Sequence, residues 1–330
     1  MMREGLPACV GSAEYSSFGE RMKPAVSVII PTYNYCVFLR DAIRSVQEQT
    51  FANWECLVID DGSTDDTRQL VEAISARDRR VRYFYQKNQG LSAARNTGSR
   101  ESVGDFLQFL DSDDLIERSK LELQVEYFMN HPDVDIVYGD ARYFSTERPL
   151  ERLYSKDGKN RAWMSKASGK GSEILRHLIA KNLMVVSSPL IRRKVIESCG
   201  LFDESLKAHE DWDYWIRCAL NDINFAYLDL PETFTLIRYH AASMSMDPFL
   251  MLRTNREILR KLGLFLNDVD LKSANENEMA KIDLLLAGKE IRYGRKLNGV
   301  RELLKLSFKH RKLLVNFYFG WLRDRGPLRM

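Results

Sequence analysis

Long hydrophobic runs are missing from this chain. No stretch reaches the roughly 18 to 20 apolar residues that a membrane-spanning helix needs, so a helical membrane anchor is not expected. Cysteine is scarce and scattered: Cys9, Cys36, Cys56, Cys199 and Cys218 show no CxxC step and no even count. That argues against a zinc centre or a disulfide framework and fits a reducing compartment. The first 25 residues lack the basic start and apolar core of a signal peptide, and a cytoplasmic location is expected. Glycine is absent from the turn after the first apolar strand, "PTYNYCVF". A nucleotidyltransferase would show a Gly-rich, Arg/Lys-bearing phosphate loop there. A dinucleotide-dependent oxidoreductase would show GxGxxG after a strand, and none does.

What is present fits a globular α/β protein. The 330 residues are 45% hydrophobic and 29% charged, ordinary values for a folded chain large enough for one sizeable α/β domain with an appendage. The net charge of +3 is unevenly spread. From Met251 onward there are 18 Lys/Arg against 9 Asp/Glu, and the residues before it carry 31 against 37. A basic tail suits an anionic lipid surface or a charged partner, although a solvated helical face explains it equally well. No nucleic-acid partner is expected.

Apolar runs alternate with helical spacing. Val26–Ile30, Trp54–Ile59, Val81–Tyr85 and Phe106–Leu110 read as strands. Val37–Gln49, a segment reaching Ala76 that Asp65 or Asp66 caps, and Ser92–Arg100 read as the helices between them. A helix over Lys120–Asn130 and a strand over Val134–Tyr138 follow, then a polar loop, Glu147–Lys170. Beyond Met246 the pattern is helical around Phe249–Phe265, Glu276–Lys296 and Val300–Leu322. The expected organisation is a loose segment over 1–24, an α/β domain with a mainly parallel sheet over 25–246, and a basic helical extension over 247–330.

Ligands of such sheets sit beyond the carboxyl ends of the strands. Those ends read Pro31-Thr32-Tyr33-Asn34, Asp60-Asp61-Gly62-Ser63 and Asp111-Ser112-Asp113-Asp114, so three polar loops fall at one rim. Asp111 and Asp113 offer hard oxygen ligands of the kind Mg²⁺ and Mn²⁺ take together with substrate phosphates; an exposed turn would also tolerate them. Asp114 is expected to cap the next helix. Asp61 can accept the imide N–H of a pyrimidine on which Tyr33 stacks, or it can hold the local turn. Glu210 and Asp211 occupy the first turn of the helix in "HEDWDYWIR". There they either complement the helix dipole, worth some tenths of a kcal/mol, or face a substrate. Trp212 and Trp215 offer a flat wall for a sugar, with core packing as the alternative.

"VSVIIPTYN", "VIDDGSTDDT", "NQGLSAARNTG", "FLQFLDSDD" and "HEDWDYWIR" follow one another in that order. Together, over roughly Val26 to His240, they resemble the inverting nucleotide-sugar glycosyltransferases of family 2, with the GT-A fold. The resemblance implies a nucleotide-sugar donor, most simply a UDP-sugar, and Mn²⁺ or Mg²⁺. Tyr33 and Asp61 would hold the base, with Pro31 and Asn34 on the same loop. Asp111 and Ser112 would lie near the ribose, and Asp113 would bind the metal. Arg95 and Asn96 would line the donor pocket, and His240 would close over the diphosphate beside the metal. Asp211 would be the catalytic base, with Glu210, His209 and Trp212 supporting its loop or the acceptor.

The processive members of this family carry Gln-x-x-Arg-Trp and transmembrane helices. Their absence points to transfer of a single sugar to a glycan or lipid-linked acceptor, as in bacterial surface-polysaccharide synthesis. A non-catalytic nucleotide- or sugar-binding module of the same fold is the alternative; retention of Asp61, Asp111, Asp113 and Asp211 argues against it. In the tail, "RELLKLSFKHRKLLVNFYFGWLRDR" interleaves apolar and basic residues, as an interfacial membrane helix or a packed helical cap would.

Overall fold

The apolar runs form a parallel core because both of their faces are covered. In the computed structural model, which describes residues 23–155, 162, 164–240, 247–293, 297, 300, 301 and 303, β1 (Val26–Thr32), β2 (Trp54–Asp60), β3 (Val81–Tyr85) and β4 (Phe106–Phe109) pair in parallel. Between them run α1 (Cys36–Gln47), α2 (Thr67–Ser75) and α3 (Leu91–Glu101). Successive side chains of a strand point to opposite faces. Val26, Val28 and Ile30 therefore share an apolar cluster with Leu39, Ile43 and Val71 on one side, while Ile29 belongs with Ala94, Trp215 and Leu259 to the cluster on the other. Gly98 lets α3 press on the sheet, because a Cβ there would lie 2.3 Å from Ile29 Cγ2.

The second half adds β5 (Leu115–Ile116), α4 (Lys120–Asn130), β6 (Ile136–Tyr138), β7 (Ala141–Phe144) and α5 (Gly171–Ala180). It continues with β8 (Pro189–Arg192), α6 (Arg193–Cys199), α7 (Glu210–Leu220), β9 (Phe225–Tyr227) and β10 (Thr235–Arg238). The main sheet runs β3-β2-β1-β4-β8-β6-β9. Only β8 is reversed, being antiparallel to both of its neighbours. A second sheet, β5-β10-β7, was not anticipated; its strands are two to four residues long and give too little periodicity to read.

Two long helices follow, α8 (Pro248–Gly263) and α9 (Val269–Arg292). Asp247 caps the first by accepting from Phe249 and Leu250 N–H, and Asp268 caps the second by accepting from Leu271 N–H. They were expected as an extension, yet Ile258, Leu259, Leu262, Leu271 and Ile282 share one apolar cluster with Leu57, Phe109 and Trp215. The expected boundary at 246 therefore does not separate two cores. Residues 1–22 and 304–330, with most of the basic interfacial stretch, lie outside the described residues, as does the centre of the polar loop at 156–161. Among the described residues no helix is long and apolar enough to cross a membrane.

Candidate active site

The carboxyl ends of β1, β2 and β4 open into one cavity of about 720 Å³. Pro31 and Tyr33 line it after β1, Asp61 after β2, and Asp111, Ser112 and Asp113 after β4. Arg95 reaches it from α3, and His209, Glu210 and Asp211 from the start of α7. Acids far apart in sequence thus converge on a single pocket.

Asp61 is buried and heavily engaged. Its Oδ1 accepts from Gln86 Nε2 (2.7 Å) and Gln89 N–H (2.9 Å), and its Oδ2 accepts from Gly90 N–H (2.8 Å). A carboxylate offers about four acceptor directions, so one stays free, and Asp61 is among the residues that line the cavity. Tyr33 is half exposed beside it. Asn34 does not line the cavity. Its backbone is left-handed at φ 56°; its Oδ1 accepts from Thr64 N–H at 2.7 Å and its own N–H donates to Ser63 Oγ at 2.9 Å. It ties two rim loops together, a correction to its expected place on the donor.

Asp111 accepts from Arg95 Nη2 at 2.5 Å, and Arg95 Nη1 pairs with Glu210. This one buried guanidinium joins the loop after β4 to the first turn of α7. Burial pushes the Asp111 carboxyl up; Arg95 opposes that and the charge of Asp113 adds to it. Asp114 is buried and does not cap a helix. It accepts from Ser187 Oγ (3.1 Å) and Arg238 N–H (3.2 Å), pinning the loop to β10 and to the segment before β8. Burial, then Asp113 and Asp111, holds its carboxyl well above the usual range.

Asp113 meets His240 Nε2 at 3.0 Å, and that ring stacks on Phe38 with centroids 4.9 Å apart. Among the described residues no group of three His, Cys, Asp or Glu side chains forms a ready-made metal cage. Mg²⁺ and Mn²⁺ do not need one, since one or two carboxylates and substrate phosphates suffice. Asp111 and Asp113 line the cavity and would supply those carboxylates. Burial raises Asp111 and Asp114, and the charge of Asp113 adds to it; a divalent cation would relieve that added repulsion, so the donor set fits such an ion.

His209 precedes α7 in a left-handed conformation, φ 53°, which turns the chain so that Glu210 and Asp211 open the helix. Asp211 Oδ1 accepts from Trp212 N–H (2.7 Å) and Oδ2 from Asn182 Nδ2 (3.0 Å). Burial, reinforced by Glu210 and opposed by Arg95 and these two donors, brings its pKa to about 7. That suits a general base working near neutrality. Trp212 is core: it is 3% exposed and its indole Nε1 donates to Leu178 C=O at 2.9 Å. It offers no wall to a sugar. Asn96 is likewise turned away from the cavity, bonded to both the carbonyl and the N–H of Phe202 and to Glu204. It staples α3 to the loop before α7.

Residues outside the sequence reading also line the cavity, among them Asn182, Tyr143, Ile237, Arg238 and Met251. Arg238 bonds Asp113 C=O at 3.0 Å and Asp41 at 3.0 Å; its nearness to His240 was the one signal available for it. Asn182 and Met251 carried none.

Residues 27–197 match the family described as Glycosyl transferase family 2. An uncharacterized glycosyltransferase of Rickettsia conorii is 33% identical over 194 residues, covering 59% of this chain and 30% of its own length. The chain thus spans about a third of the length of the Rickettsia relatives it matches first. Bacillus subtilis TuaG, provisionally named for teichuronic acid biosynthesis, is 40% identical over 132 residues, 40% of this chain and 52% of its own. Among solved structures, S. aureus TarS 1–349 in complex with UDP-GlcNAc aligns with TM-score 0.60 at 20% identity, over 83% of this chain and 74% of that one. The mannosyltransferase PcManGT from Pyrobaculum calidifontis, in complex with GDP-Man and Mn²⁺, aligns with TM-score 0.58 at 17% identity, over 91% and 84%. The structural likenesses show the GT-A fold, and with more than half of the sequence matched by the family model, the chain belongs to glycosyl transferase family 2.

Proposed function

We propose that this protein is a metal-dependent, inverting glycosyltransferase that moves one sugar from a UDP-sugar to a hydroxyl of a glycan or lipid-linked acceptor in surface-polysaccharide synthesis. One observation carries the reading: Asp61, Asp113 and Asp211 line the same cavity. The complexes of TarS with UDP-GlcNAc and of PcManGT with GDP-Man and Mn²⁺, and the name of TuaG, support it. Uridine is favoured over guanosine by the state of Asp61. Three of its roughly four acceptor directions are filled by Gln86, Gln89 and Gly90. The one left suits the single imide N–H of uracil, whereas guanine presents two adjacent donor groups.

Asp113 and Asp111 would hold the Mn²⁺ or Mg²⁺, whose chemistry when bound is to neutralise charge developing on the diphosphate. The chain's own residues do the rest. Arg95 fixes Asp111 and Glu210 relative to each other. Asp211, at the start of α7, accepts the proton of the attacking hydroxyl as that oxygen bonds the anomeric carbon. The nucleoside diphosphate leaves from the opposite face, which inverts the centre without a covalent sugar–enzyme intermediate. The test is a thermal-shift panel of UDP and GDP with and without Mn²⁺, paired with transfer or hydrolysis of a UDP-sugar. Metal-dependent UDP binding is expected to survive Asp211→Asn while turnover falls at least 10²-fold, the low end for general-base loss. A GDP-only shift, or unchanged turnover in the variant, overturns the reading.

A further inference from the structure

The segment joining α5 to β8 plays no part in the family motifs, yet it places a side-chain amide against the candidate base. Asn182 lines the cavity, and its Nδ2 donates to Asp211 Oδ2 at 3.0 Å. The two are 29 positions apart in sequence, so the contact exists only because α5 packs on α7. That packing is fixed close by, where the Trp212 indole bonds the Leu178 carbonyl at 2.9 Å. Asp211 therefore has one donor on each oxygen: the Trp212 N–H on Oδ1 and the Asn182 amide on Oδ2. Two fixed donors on two different oxygens hold the plane of the carboxylate and leave lone pairs on its far side.

The other end of this amide makes no competing bond. Asn182 Oδ1 is shielded from solvent and has no hydrogen-bond partner among the described residues. Buried polar atoms are nearly always satisfied, and an orphaned one costs about 1–3 kcal/mol. Asn96 uses both ends to tie two segments, whereas Asn275 bonds the Leu259 carbonyl through Nδ2 and leaves its Oδ1 unpartnered. Asn182 uses only the end that faces Asp211.

We propose that Asn182 is a positioning residue for the transfer reaction: its amide N–H fixes the orientation of the Asp211 carboxylate and favours its ionised, proton-accepting form. The inference rests on Asp211 being the base of the proposed reaction. The other charged groups around Asp211 are known: Glu210 and His209 stand beside it on its own turn, Arg95 faces it from α3, and Lys181 next to Asn182 is exposed. Burial and Glu210 disfavour the carboxylate; Arg95, the Trp212 N–H and the Asn182 amide favour it. Deleting the amide removes one of the three favourable partners and leaves the unfavourable ones intact.

The readout is the titration of Asp211 itself, followed as the ¹³C-carboxyl resonance that disappears in Asp211→Asn. A hydrogen bond to a charged group is worth about 1.5–3 kcal/mol, and one pKa unit is about 1.4 kcal/mol. Asn182→Ala is therefore expected to raise the Asp211 midpoint by about one unit or more, and Asn182→Asp, which sets a second carboxylate there, by more still. Asn182→Ser, which keeps a donor, returns it toward wild type. In parallel, UDP release from UDP-GlcNAc with Mn²⁺ is measured across pH. The base must be ionised, so the rate rises with pH through its pKa, and in Asn182→Ala that rise moves to higher pH by the same shift while the UDP-induced thermal shift is unchanged. An unmoved Asp211 midpoint in both Asn182→Ala and Asn182→Asp overturns the inference, whatever the rate. A midpoint that moves in the variants, beside a wild-type protein that releases UDP from none of a panel of UDP-sugars at any pH, upholds Asn182 as the partner of Asp211 and overturns the proposed reaction instead.

Discussion

Arg95 is the member of the site whose loss has consequences that can be worked out in advance. Its side chain is 1% exposed and stands between two carboxylates, with Glu210 at 9% and Asp111 at 33% exposure. Arg95→Ala leaves both acids facing a space with no cation. Removing one partner of a buried pair costs about 3–5 kcal/mol, chiefly because the other charge stays desolvated. The Glu210 arm carries most of that. The Asp111 arm faces the cavity, where water screens it, so the expected loss lies toward the lower end, about 3 kcal/mol at pH 7.5.

The deficit must also depend on pH. The Asp111 carboxyl is already raised by burial while Arg95 holds it down, and without Arg95 it rises further. A carboxyl with a raised folded pKa binds protons in the folded state that the unfolded chain has lost. Its contribution is fully present below the unfolded value of about 3.9 and is lost as pH climbs through the folded value. The penalty of Arg95→Ala therefore grows from pH 4 upward, by at most about 1.4 kcal/mol for each unit of additional rise. Urea unfolding at pH 5 and pH 7.5, extrapolated linearly, should show the larger deficit at the higher pH. Adding Asp111→Asn and Glu210→Gln to Arg95→Ala should recover part of the stability, because neutral amides leave no unpaired charge. A deficit under about 1 kcal/mol, or one equal at both pH values, would refute the claim that this guanidinium neutralises the buried Glu210 and the cavity-facing Asp111 together.

Two further substitutions separate the donor end from the scaffold. Asp113→Asn should remove the Mn²⁺ dependence of the UDP thermal shift, which Asp211→Asn keeps; equal loss in both would mean that the two acids do not divide the work as proposed. Gly98→Ala drives a Cβ to 2.3 Å from Ile29 Cγ2 and 3.2 Å from Ile59 Cγ1. It should cost about 1–3 kcal/mol by overpacking, read as a lower urea midpoint with the Asp211 titration unmoved.

The parts of this molecule that could be read from sequence are those in which one residue's neighbours decide its fate. β1, β2 and β4 are covered on both faces, so they appear as apolar runs, and a parallel sheet with its ligands at one rim follows from their alternation with helices. The acids after β2 and β4 and at the start of α7 were legible because a strand end or a helix start announces each of them locally. What stayed hidden depends on contacts between distant segments. Arg95 meets Glu210 across 115 positions, and Arg238 reaches Asp114 across 124. Asn96 and Trp212 sit among motif residues and look like site residues, yet each turns inward to bond backbone, Phe202 in one case and Leu178 in the other. Sequence order tells which loop a side chain belongs to but not which way the chain turns it.

The same distinction explains why the base end of the cavity was less legible than the donor end. The donor end is built by the loops that follow β1, β2 and β4, which are placed by the sheet itself. The base end is assembled by α7 resting on α5, by a short sheet of two- to four-residue strands, and by Met251 from α8. Each of those elements has its own reason to be where it is, and none is fixed by the register of β1 to β4. Changes in α5 or α8 can therefore reshape this end of the cavity while leaving Asp61, Asp111 and Asp113 in place, whereas changes in β10 reach the Asp113 loop through Arg238, which bonds Asp113 C=O and Asp114.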